Sequence, residues 1–390
     1  MLEDIKKINN EINEEIISIF NMLHENPELS FKEHHTSELI TSYLDSINIP
    51  YRRIGQTSII GILECSKKGR TIALRSDIDA LPIEEDSNHA ICSQNKGVMH
   101  ACGHDFHIAT LLGTAKTLNS IKEKLSGNIL FIFQAGEELL PGGAKEIIES
   151  GIFDEYKPEW IGAIHCEPDL TTGKIGIKEG MYMASGDEIF LTVKGQGGHA
   201  AMPHKTADTV LIASEIIVSL QQITSRHCPP QIPSVLTFGK IVGNGAVNII
   251  PKEVNIEGTF RTMNEEWRTK AKKLINTIAK SIAENHGAEC DVNIIDGYPF
   301  LRNNIEYTQK VKKIAIETLG KQNVVDLDIR MTTEDFAYYS QKIKSTFFRV
   351  GVGNKDTENS PLHTSTFKAD KKALKYSITI LSTICSKFLI

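Results

Sequence analysis

Apolar and charged positions alternate along the first 25 residues with the period of an α-helix. Six apolar side chains recur at helical spacing, namely Ile5, Ile8, Ile12, Ile16, Phe20 and Leu23. Such spacing places them on one helix face. Asn26-Pro27 follows, and a residue before proline avoids helical backbone angles. The pattern therefore predicts an amphipathic helix ending near Asn26, with a second helix through SELITSYLDS.

Short apolar runs and helical patterns then alternate along the chain. The runs SIIGIL, TIAL, NILFIF, EWIGAI and TFFRVGV are bounded by turn residues and predict buried strands, while HIATLLGTAKTL and GGAKEIIES predict helices between them. This alternation is typical of an α/β domain whose mixed, mostly parallel sheet is covered by helices.

The segment from Gly186 to Ile295 follows a different rule. EIFLTVKG alternates apolar and polar residues, as a half-buried strand does. Two amphipathic helices and three further strands follow in the order βαββαβ, which predicts a ferredoxin-like unit. We expect this unit, residues 186–295, to be inserted into a domain formed by residues 1–185 and 296–390.

Composition excludes several classes of protein. The chain has 390 residues and a formal net charge of -6, so it lacks the basic surface of nucleic-acid-binding proteins. No uncharged apolar run reaches the roughly 18 residues of a membrane span, and the first helix carries acids, unlike a signal peptide. Seven scattered cysteines argue against a disulfide framework. We expect a cytoplasmic protein with no nucleic-acid or membrane partner.

Polar side chains with metal-binding chemistry follow the predicted strands. Asp77 and Asp79 come after TIAL, the pair Glu137-Glu138 after NILFIF, and His165 after EWIGAI, and the loop after TFFRVGV carries His363. Ligands bind beyond the carboxyl ends of the strands in open α/β sheets. We therefore expect these residues to share one site.

The densest cluster is MHACGHDFH, residues 99–107, just before a predicted helix. Thiolate, imidazole and carboxylate groups suit zinc and other late divalent metals, and a helix N-terminus favours an ionised thiol. For an isolated Cys-x-His, a buried cysteine with a capping histidine is the more common explanation. Here the glutamate pair and two further histidines at the same edge favour a metal site involving Cys102 and His104.

The chain resembles the aminoacylase/carboxypeptidase metallohydrolases, in their hippurate-hydrolase and indole-acetyl-amino-acid-hydrolase branch. The matching segments run from LHENPELSFKE through RSDIDALPI, MHACGHDFH, FQAGEE, GGHAAMPHKT, NIIPKEVNIEGTFRT and TTEDFAYY to PLHTSTF. They occur in order over nearly the whole chain. The resemblance implies a catalytic α/β domain, an inserted ferredoxin-like lid and two divalent metal ions, without distinguishing zinc, manganese, nickel and cobalt.

The resemblance also implies individual roles. Five residues would bind the metals, namely Cys102, His104, Glu138, His165 and His363, with Cys102 bridging both ions. Glu137 would be the general base that takes a proton from a metal-activated water. Other branches have a histidine ligand at the position of Asp77. Here His104 would take the place of that ligand. Asp79 is either a residue that orients a ligand or a simple turn carboxylate. His107 is expected to pack or to support a ligand.

In the lid, the resemblance implies that His199 donates to the oxyanion of the transition state and that Asn248 and Arg261 hold the substrate carboxylate. From the residues alone, His199 is more often a structural loop histidine, and Arg261 is as readily a surface charge.

One departure from the branch is Ala135-Gly136 before the glutamate pair, where Pro-Ala is usual. Losing that proline is expected to loosen the turn that aims Glu137.

These features predict metal-dependent hydrolysis of the amide bond of N-acyl-L-amino acids, by a homodimer formed through the lid. A dipeptidase, a carboxypeptidase or an N-acetyl-diaminopimelate deacetylase would use the same site. A non-catalytic scaffold is the alternative from another class, and scaffolds of this fold lose ligands or base, whereas all six positions are filled here. A nucleotide-dependent oxidoreductase would need a glycine-rich turn in the first βα unit, which is absent.

Overall fold

The structure is a computed structural model that describes residues 1–86, 91–355 and 359–390. The chain divides into two compact units. The first comprises Met1–Gly180, Arg302–Asp328 and Asp335–Ile390, and the second comprises Met181–Leu301 with Ile329–Glu334. No sequence pattern indicated that the stretch Ile329–Glu334 would cluster with the second unit.

The first unit combines a central sheet with surrounding helices. Its helices are α1 (Leu2–Glu25), α2 (His34–Ser46), α3 (His104–Ser120), α4 (Gly143–Glu149), α5 (Ile152–Tyr156), α8 (Ile305–Leu319), α9 (Ala337–Ser340) and α10 (Lys372–Phe388). Its strands are β1 (Tyr51–Ile54), β2 (Ser58–Glu64), β3 (Lys67–Asp77), β4 (Ser126–Gln134), β5 (Trp160–Thr171), β6 (Ile175–Ile177), β15 (Val324–Asp326) and β16 (Ser345–Gly353). The short strands β7 (Gly180–Met183) and β14 (Leu301–Asn303) lie where the chain passes between the units.

The eight strands of the first unit form one sheet in the order β1-β2-β4-β3-β5-β16-β6-β15. The centre is parallel, because β3 pairs in parallel with both β4 and β5, and β5 with β16. Antiparallel strands occur toward the edges, where β2 pairs with β1 and β4. The predicted fold class, a mixed and mostly parallel sheet covered by helices, is confirmed.

The second unit has the predicted ferredoxin-like topology. Its elements are β8 (Ser185–Lys194), β9 (Gly198–His199), α6 (Thr209–Gln222), β10 (Ser234–Val242), β11 (Ile249–Ile250), β12 (Glu253–Thr262), α7 (Glu265–Asn285) and β13 (Glu289–Asp296). The four long strands form an antiparallel sheet in the order β10-β12-β8-β13. Strands β9 and β11 form a separate small ladder. The inserted ferredoxin-like unit is thus confirmed as part of the fold class.

Each unit has its own apolar core. In the first unit, Trp160, Phe131 and Phe348 are fully buried among residues of the sheet and of α1, α3 and α10. In the second, side chains of α6 and α7 pack on β8 and β12. Within the described residues, no helix combines the length and apolar character needed to cross a bilayer.

Helix α1 ends at Glu25, one residue before Asn26, and its predicted apolar face is buried except for the partly exposed Ile8. Two polar residues are buried on the same helix. Asn9 donates to Thr379 of α10 (2.9 Å) and accepts from Thr117 of α3 (2.7 Å), which satisfies the amide between three helices. Hydrophobic periodicity cannot identify such polar contacts, because they depend on partners distant in sequence.

His24 forms a buried ion cluster at the end of α1. Its Nδ1 lies 2.7 Å from Asp105 Oδ2 and its Nε2 lies 3.0 Å from Glu85 Oε1. Burial lowers the pKa of His24, but hydrogen bonds to Asp105 and Glu85 outweigh that effect and raise the pKa to about 10. The imidazolium thus joins α1 to the first turn of α3 and to the loop that contains Glu85.

We expect this cluster to make stability fall as pH rises from neutral. The folded pKa of about 10 lies above the ordinary value of 6.5, so the stabilisation is complete below pH 6.5 and is lost as pH rises through 10. The slope is at most about 1.4 kcal/mol per pH unit. Urea unfolding between pH 6 and 10 should show a steeper decline for the wild type than for His24→Gln, whereas His35→Gln, at an exposed position, should follow the wild type. Parallel profiles of wild type and His24→Gln would contradict the assignment.

Candidate metal centre

The parallel strands β3 and β4 deliver acidic residues to the same sheet edge. Asp77, the last residue of β3, pairs with Gln134, the last residue of β4. Asp79 therefore lies just beyond one strand, and Glu137 and Glu138 lie just beyond the other. His165 follows two residues after Ala163, the last residue of β5 that pairs with β3. The register thus brings together the residues that the sequence placed at strand ends, although His165 lies within β5, which continues to Thr171, and not after its end.

Side chains rather than a proline fix the turn before the glutamate pair. Ser58 Oγ accepts from the Ala135 N–H (3.0 Å), and Glu33 Oε1 accepts from the Gly136 N–H (2.9 Å). Gly136 has a φ of 62°, and a Cβ there would lie 2.3 Å from Cζ of Phe31. Glycine is therefore required at this position. These bonds hold the turn in place of a proline, and the loosening expected from the missing proline stays a prediction.

Cys102 and His104 lie at the start of α3. Both are buried, with 6% and 1% of their surface exposed. Gly103 between them has a φ of 80°, and a Cβ there would lie 2.7 Å from Cys166 Sγ. The glycine allows the chain to turn into the helix while the two flanking side chains point toward the glutamate pair.

The five predicted ligand side chains converge on one another. Cys102 Sγ lies 3.3 Å from His363 Nε2 and 3.4 Å from His165 Nε2. Glu138 Oε1 lies 3.3 Å from His363 Nε2 and 3.9 Å from His104 Nε2. Tetrahedral zinc with Zn–S and Zn–N bonds of about 2.3 and 2.0 Å would separate such ligand atoms by about 3.5 Å, so these separations suit metal coordination.

Cys102 belongs to two potential metal-binding groups. One contains His104 and His165, and the other contains Glu138 and His363, with the ligand atoms of each group within 4.8 Å of one another. Glu137 forms a further group with His104 and Glu138, whose ligand atoms also lie within 4.8 Å of one another. A shared cysteine between two ligand groups agrees with the bridging position that the resemblance implies, which stays a prediction.

The electrostatics of the site also suit divalent cations. His104 Nε2 and Glu138 Oε1 are buried and form no hydrogen bond. Burying a polar atom without a partner costs free energy of folding, unless a bound ligand supplies the missing contact. Burial and the carboxylates of Glu138 and Glu137 hold the pKa of the Cys102 thiol well above its usual range. Burial lowers the pKa of His104, but Asp77, Asp79 and Glu138 raise it to about 10. A divalent cation would neutralise this excess negative charge and ionise the thiol.

Asp79 orients both a proposed ligand and the glutamate turn. Its Oδ2 accepts from Ser30 Oγ (2.6 Å) and from the Glu138 N–H (2.9 Å), and its Oδ1 lies 3.2 Å from His104 Nδ1. Burial raises the pKa of Asp79, but the hydrogen bonds with His104, Ser30 and Glu138 outweigh it and lower the pKa. Of the two explanations left open by the sequence, these contacts favour the orienting role.

Asp77 lies beside a predicted ligand, with its Oδ2 3.7 Å from His104 Nε2, but its hydrogen bonds go to residues behind the proposed ligands. Its Oδ1 lies 2.6 Å from His107 Nδ1, and its Oδ2 accepts from Arg75 Nη1 (2.6 Å). Arg75 also donates to Asp335 (2.6 Å). His107 Nε2 accepts from the Cys166 N–H (2.9 Å). His107 is therefore a supporting residue, and its neutral ring carries the hydrogen on Nδ1.

His363 reaches the site from a loop that follows β16. Its backbone has a φ of 62°, uncommon for a residue other than glycine, and its N–H donates to Ala101 O (2.9 Å). This bond ties the histidine loop to the segment just before Cys102. The residue is about half exposed, with 52% of its side chain accessible, so this side of the cluster is open in the first unit.

The remaining predicted residues lie in the second unit. His199 is exposed in β9, and its Nδ1 accepts from the Ala201 N–H (3.0 Å). Asn248 is exposed in the loop before β11. Arg261 of β12 lies across Gly186, where a Cβ would approach its Nη1 to 2.6 Å. Burial lowers the pKa of Arg261, against the opposing effect of Asp187 and Glu188.

Sequence reasoning missed one buried cation, Arg349 of β16. Its Nη1 lies 2.6 Å from His165 Nδ1, and 3% of its surface is exposed. The signal was present in the sequence, because Arg349 interrupts the otherwise apolar strand TFFRVGV. Arg75 interrupts TIALRSD in the same way. A charged residue within a buried strand indicates a paired or functional charge.

Comparisons with known proteins show the family to which the chain belongs. The profile of peptidase family M20/M25/M40 matches residues 73–387. The chain is 40% identical to an N-acyl-L-amino acid amidohydrolase of Geobacillus stearothermophilus, covering 76% of this chain and 80% of the relative. It is 37% identical to thermostable carboxypeptidase 2 of Saccharolobus solfataricus, covering 100% and 99%. The Bacillus subtilis protein YXEP, described as a dinuclear metal-binding peptidase from the M20 family, is 30% identical with a TM-score of 0.83, covering 97% of this chain and 99% of that chain.

We expect Asp79→Asn to lower metal affinity by about 10- to 100-fold. An amide has only one acceptor oxygen, so its NH₂ group would face either the Ser30 and Glu138 donors or the His104 Nδ1 hydrogen. Calorimetric titration of metal-stripped protein with Zn²⁺ and Mn²⁺ measures the loss. Ser30→Ala, which removes one hydrogen bond to Asp79, is the matched control and should cost less. Unchanged affinity in Asp79→Asn would leave Asp79 as a turn carboxylate.

Proposed function

Since the chain belongs to peptidase family M20/M25/M40 and is a metal-dependent amidohydrolase, we propose that its substrates are N-acyl-L-amino acids. The resemblance inferred from the sequence motifs is confirmed. The observation that carries the proposal is the convergence of Cys102, His104, Glu138, His165 and His363 beside Glu137. The similarity to the N-acyl-L-amino acid amidohydrolase supports the choice of substrate class.

The five converging residues would hold two divalent ions, and Cys102 is common to both ligand groups. When bound, such ions polarise an amide carbonyl and lower the pKa of water toward neutrality. Zinc, manganese, nickel and cobalt all suit this set of thiolate, imidazole and carboxylate ligands. The bond from Asp79 to His104 Nδ1 and the bond to the Glu138 backbone orient two of the ligands.

Glu137 is proposed as the general base. A carboxylate oxygen of Glu137 lies within 4.8 Å of the ligand atoms of His104 and Glu138, and the residue is 7% exposed. From this position it can take the proton of the attacking water and deliver it to the leaving amine. The bonds that fix Ala135 and Gly136 determine where the Glu137 backbone begins, so they control the direction of its side chain.

His199 is proposed to stabilise the oxyanion of the transition state. Because its Nδ1 accepts the Ala201 N–H, the neutral ring carries its hydrogen on Nε2. His199 therefore presents a donor at its outer nitrogen, as an oxyanion requires. The exposed position of its side chain leaves that donor available to a ligand.

Arg261 and Asn248 are proposed to bind the free carboxylate of the substrate. Arg261 Nε donates to Thr259 Oγ1 (3.0 Å), which orients the guanidinium along the sheet. Its planar terminal nitrogens can then bond a carboxylate bidentately. Asn248 lies in the exposed loop 243–248 and can add an amide donor. Such contacts would select acyl amino acids over amides that lack a carboxylate.

Other substrates of the same site remain candidates. The similarity to thermostable carboxypeptidase 2 makes a peptidase activity a second candidate. A dipeptide or N-acetyl-diaminopimelate also presents an amide beside a carboxylate. A non-catalytic scaffold is disfavoured, because the five ligand positions and the base are all filled. Among the described residues, no disulfide joins Cys65, Cys102, Cys166, Cys228, Cys290 and Cys385, as is usual in reducing compartments, and we propose a cytoplasmic location.

We also propose a homodimer formed through the second unit. Strand β10 is an edge of its sheet, and it exposes the apolar side chains of Val235, Ile241 and Val242. On α6, Leu211 and Val218 are 58% and 70% exposed. Exposed apolar groups of this kind on one unit are typical of a protein–protein interface.

Amine release from a panel of N-acetyl-methionine, hippurate, N-acetyl-diaminopimelate and a dipeptide tests the proposed activity. We expect metal-dependent release that falls by about a hundredfold or more in Glu137→Gln, because the amide cannot accept the proton. Metal content of that variant should stay at the wild-type level, since Glu137 is not among the proposed ligands. Thr36→Ser, a conservative change in the same unit, is the control for activity and metal lost during preparation of a variant.

Loss of metal together with activity in Glu137→Gln would make Glu137 a ligand rather than a base. Release from the dipeptide alone would replace the aminoacylase proposal with a peptidase. No release from any substrate and no bound metal would support the scaffold alternative.

Val218→Glu should weaken the dimer, because a charge would enter the apolar contact of α6. Light scattering after size-exclusion chromatography, across protein concentrations, should show a dimer for the wild type and a shift toward monomer for the variant. Met22→Glu, at a position in the first unit that is 43% exposed, should leave the mass unchanged. A monomeric wild type would refute the dimer.

A further inference from the structure

Two of the proposed ligand histidines differ in the surroundings of their Nδ1 atoms. His104 Nδ1 lies 2.8 Å from the main-chain oxygen of Asp79 and 3.2 Å from its Oδ1. Both neighbours are acceptors, so Nδ1 carries a hydrogen. When the ring is neutral, His104 Nε2 then has a free electron pair. This is the usual arrangement of a metal-binding histidine, whose other nitrogen donates to an oxygen.

His165 has the opposite arrangement. Its Nδ1 lies 2.6 Å from Nη1 of Arg349, and a guanidinium can only donate hydrogen bonds. While this bond to Arg349 is made, Nδ1 accepts, and the hydrogen of the neutral ring lies on Nε2. That nitrogen faces Cys102 Sγ at 3.4 Å. The atom of His165 that points toward the cluster thus carries a hydrogen instead of a free electron pair.

Arg349 is held in place by contacts besides His165. It pairs with His165 in the register of β16 and β5, and its Nη1 also donates to Cys166 O (3.3 Å). The guanidinium carbon lies 5.5 Å from the centre of the Phe347 ring, at a distance typical of a cation–π contact. A buried cation with these partners cannot move into solvent without losing them.

The alternative tautomer of His165 has an acceptor available. Cys166 O lies 2.9 Å from His165 Nδ1, so a hydrogen on Nδ1 could be donated to it. Arg349 opposes this state, because its own N–H points at the same nitrogen and at the same carbonyl oxygen. Binding of a cation through His165 Nε2 therefore requires the Arg349–His165 hydrogen bond to break.

We propose that Arg349 is a positioning residue that holds His165 in the tautomer unable to coordinate, so that the ion position formed by Cys102, His104 and His165 binds metal more weakly than the one formed by Cys102, Glu138 and His363. The inference rests on the proposed pair of ions. Coordination moves the ring hydrogen from Nε2 to Nδ1, where it is donated to Cys166 O, and Arg349 loses its acceptor on the ring. The imidazole stays neutral throughout, and no proton is gained or lost.

Calorimetric titration of the metal-stripped full-length protein with Zn²⁺ tests the affinity difference. We expect two binding steps of different affinity in the wild type. In Arg349→Gln the weaker step should tighten by about ten- to a hundredfold, the range expected for one hydrogen bond to a charged group. The glutamine amide can accept the Nδ1 hydrogen, so it permits the coordinating tautomer. Arg349→Lys, which retains a donor-only cation, should keep the weaker step.

The tautomer itself is measured on metal-free protein labelled with ¹⁵N-histidine, by long-range ¹H–¹⁵N spectra, with His165→Gln identifying the signals of this ring. A hydrogen on Nε2 of His165 is expected in the wild type and on Nδ1 in Arg349→Gln. This readout needs no activity and does not respond to a merely structural loss.

Two equal binding steps in the wild type, or a hydrogen on Nδ1 of its His165, would overturn the inference about Arg349. Failure to bind any metal would instead refute the proposed metal pair. The tautomer spectrum would still report how Arg349 acts on His165, so the two failures are distinguishable.

Discussion

The excess of buried acidic groups at the carboxyl ends of β3 and β4 is the constraint on which the rest of the site depends. Asp77, Asp79 and Glu137 are each at most 7% exposed and lie beside His104. Moving several carboxylates out of water is costly unless opposite charges accompany them. Arg75 donates to Asp77 and Asp335 and thereby balances their negative charge. On the side of the proposed metal site, His104 Nε2 and Glu138 Oε1 are buried without a hydrogen bond. Cations bound there would balance the remaining negative charge.

The sheet imposes this arrangement through its topology. Parallel pairing of β3 with β4 brings the ends of these two strands to one edge, and parallel pairing of β5 with β3 places His165, within β5, beside them. These three strands thus supply acids and proposed ligands to one site. Precision comes from the contacts beyond the strands. Asp79 connects Ser30, Glu138 and His104, and Glu33 holds the Gly136 turn. The orientation of the cluster therefore depends on the segment around residues 30–33, far from the ligands in sequence.

Periodicity and strand order were sufficient to predict the α/β sheet, the inserted βαββαβ unit and the strand ends that meet at the site. They were not sufficient for features set by pairs distant in sequence. The requirement for glycine at position 136 comes from the Phe31 ring, and the burial of Asn9 depends on Thr117 and Thr379. The strained backbone of His363 likewise has no local signal. Arg349 left a signal, a charge within an apolar strand, but its partner His165 became evident only from the register of β16 with β5.

Hydrogen-bond direction adds information that the positions of the ligands lack. His104, His107 and His165 lie within one cluster of rings, with His104 5.4 Å from His107 and His107 4.8 Å from His165. Asp79 acts on His104 and Asp77 acts on His107, so in both rings Nδ1 carries the hydrogen. Arg349 reverses this at His165. Since a ring nitrogen coordinates only through a free electron pair, equal distances to a metal position do not mean equal readiness to bind it. The neighbours that set each tautomer therefore distinguish ligands that geometry alone would treat as equivalent.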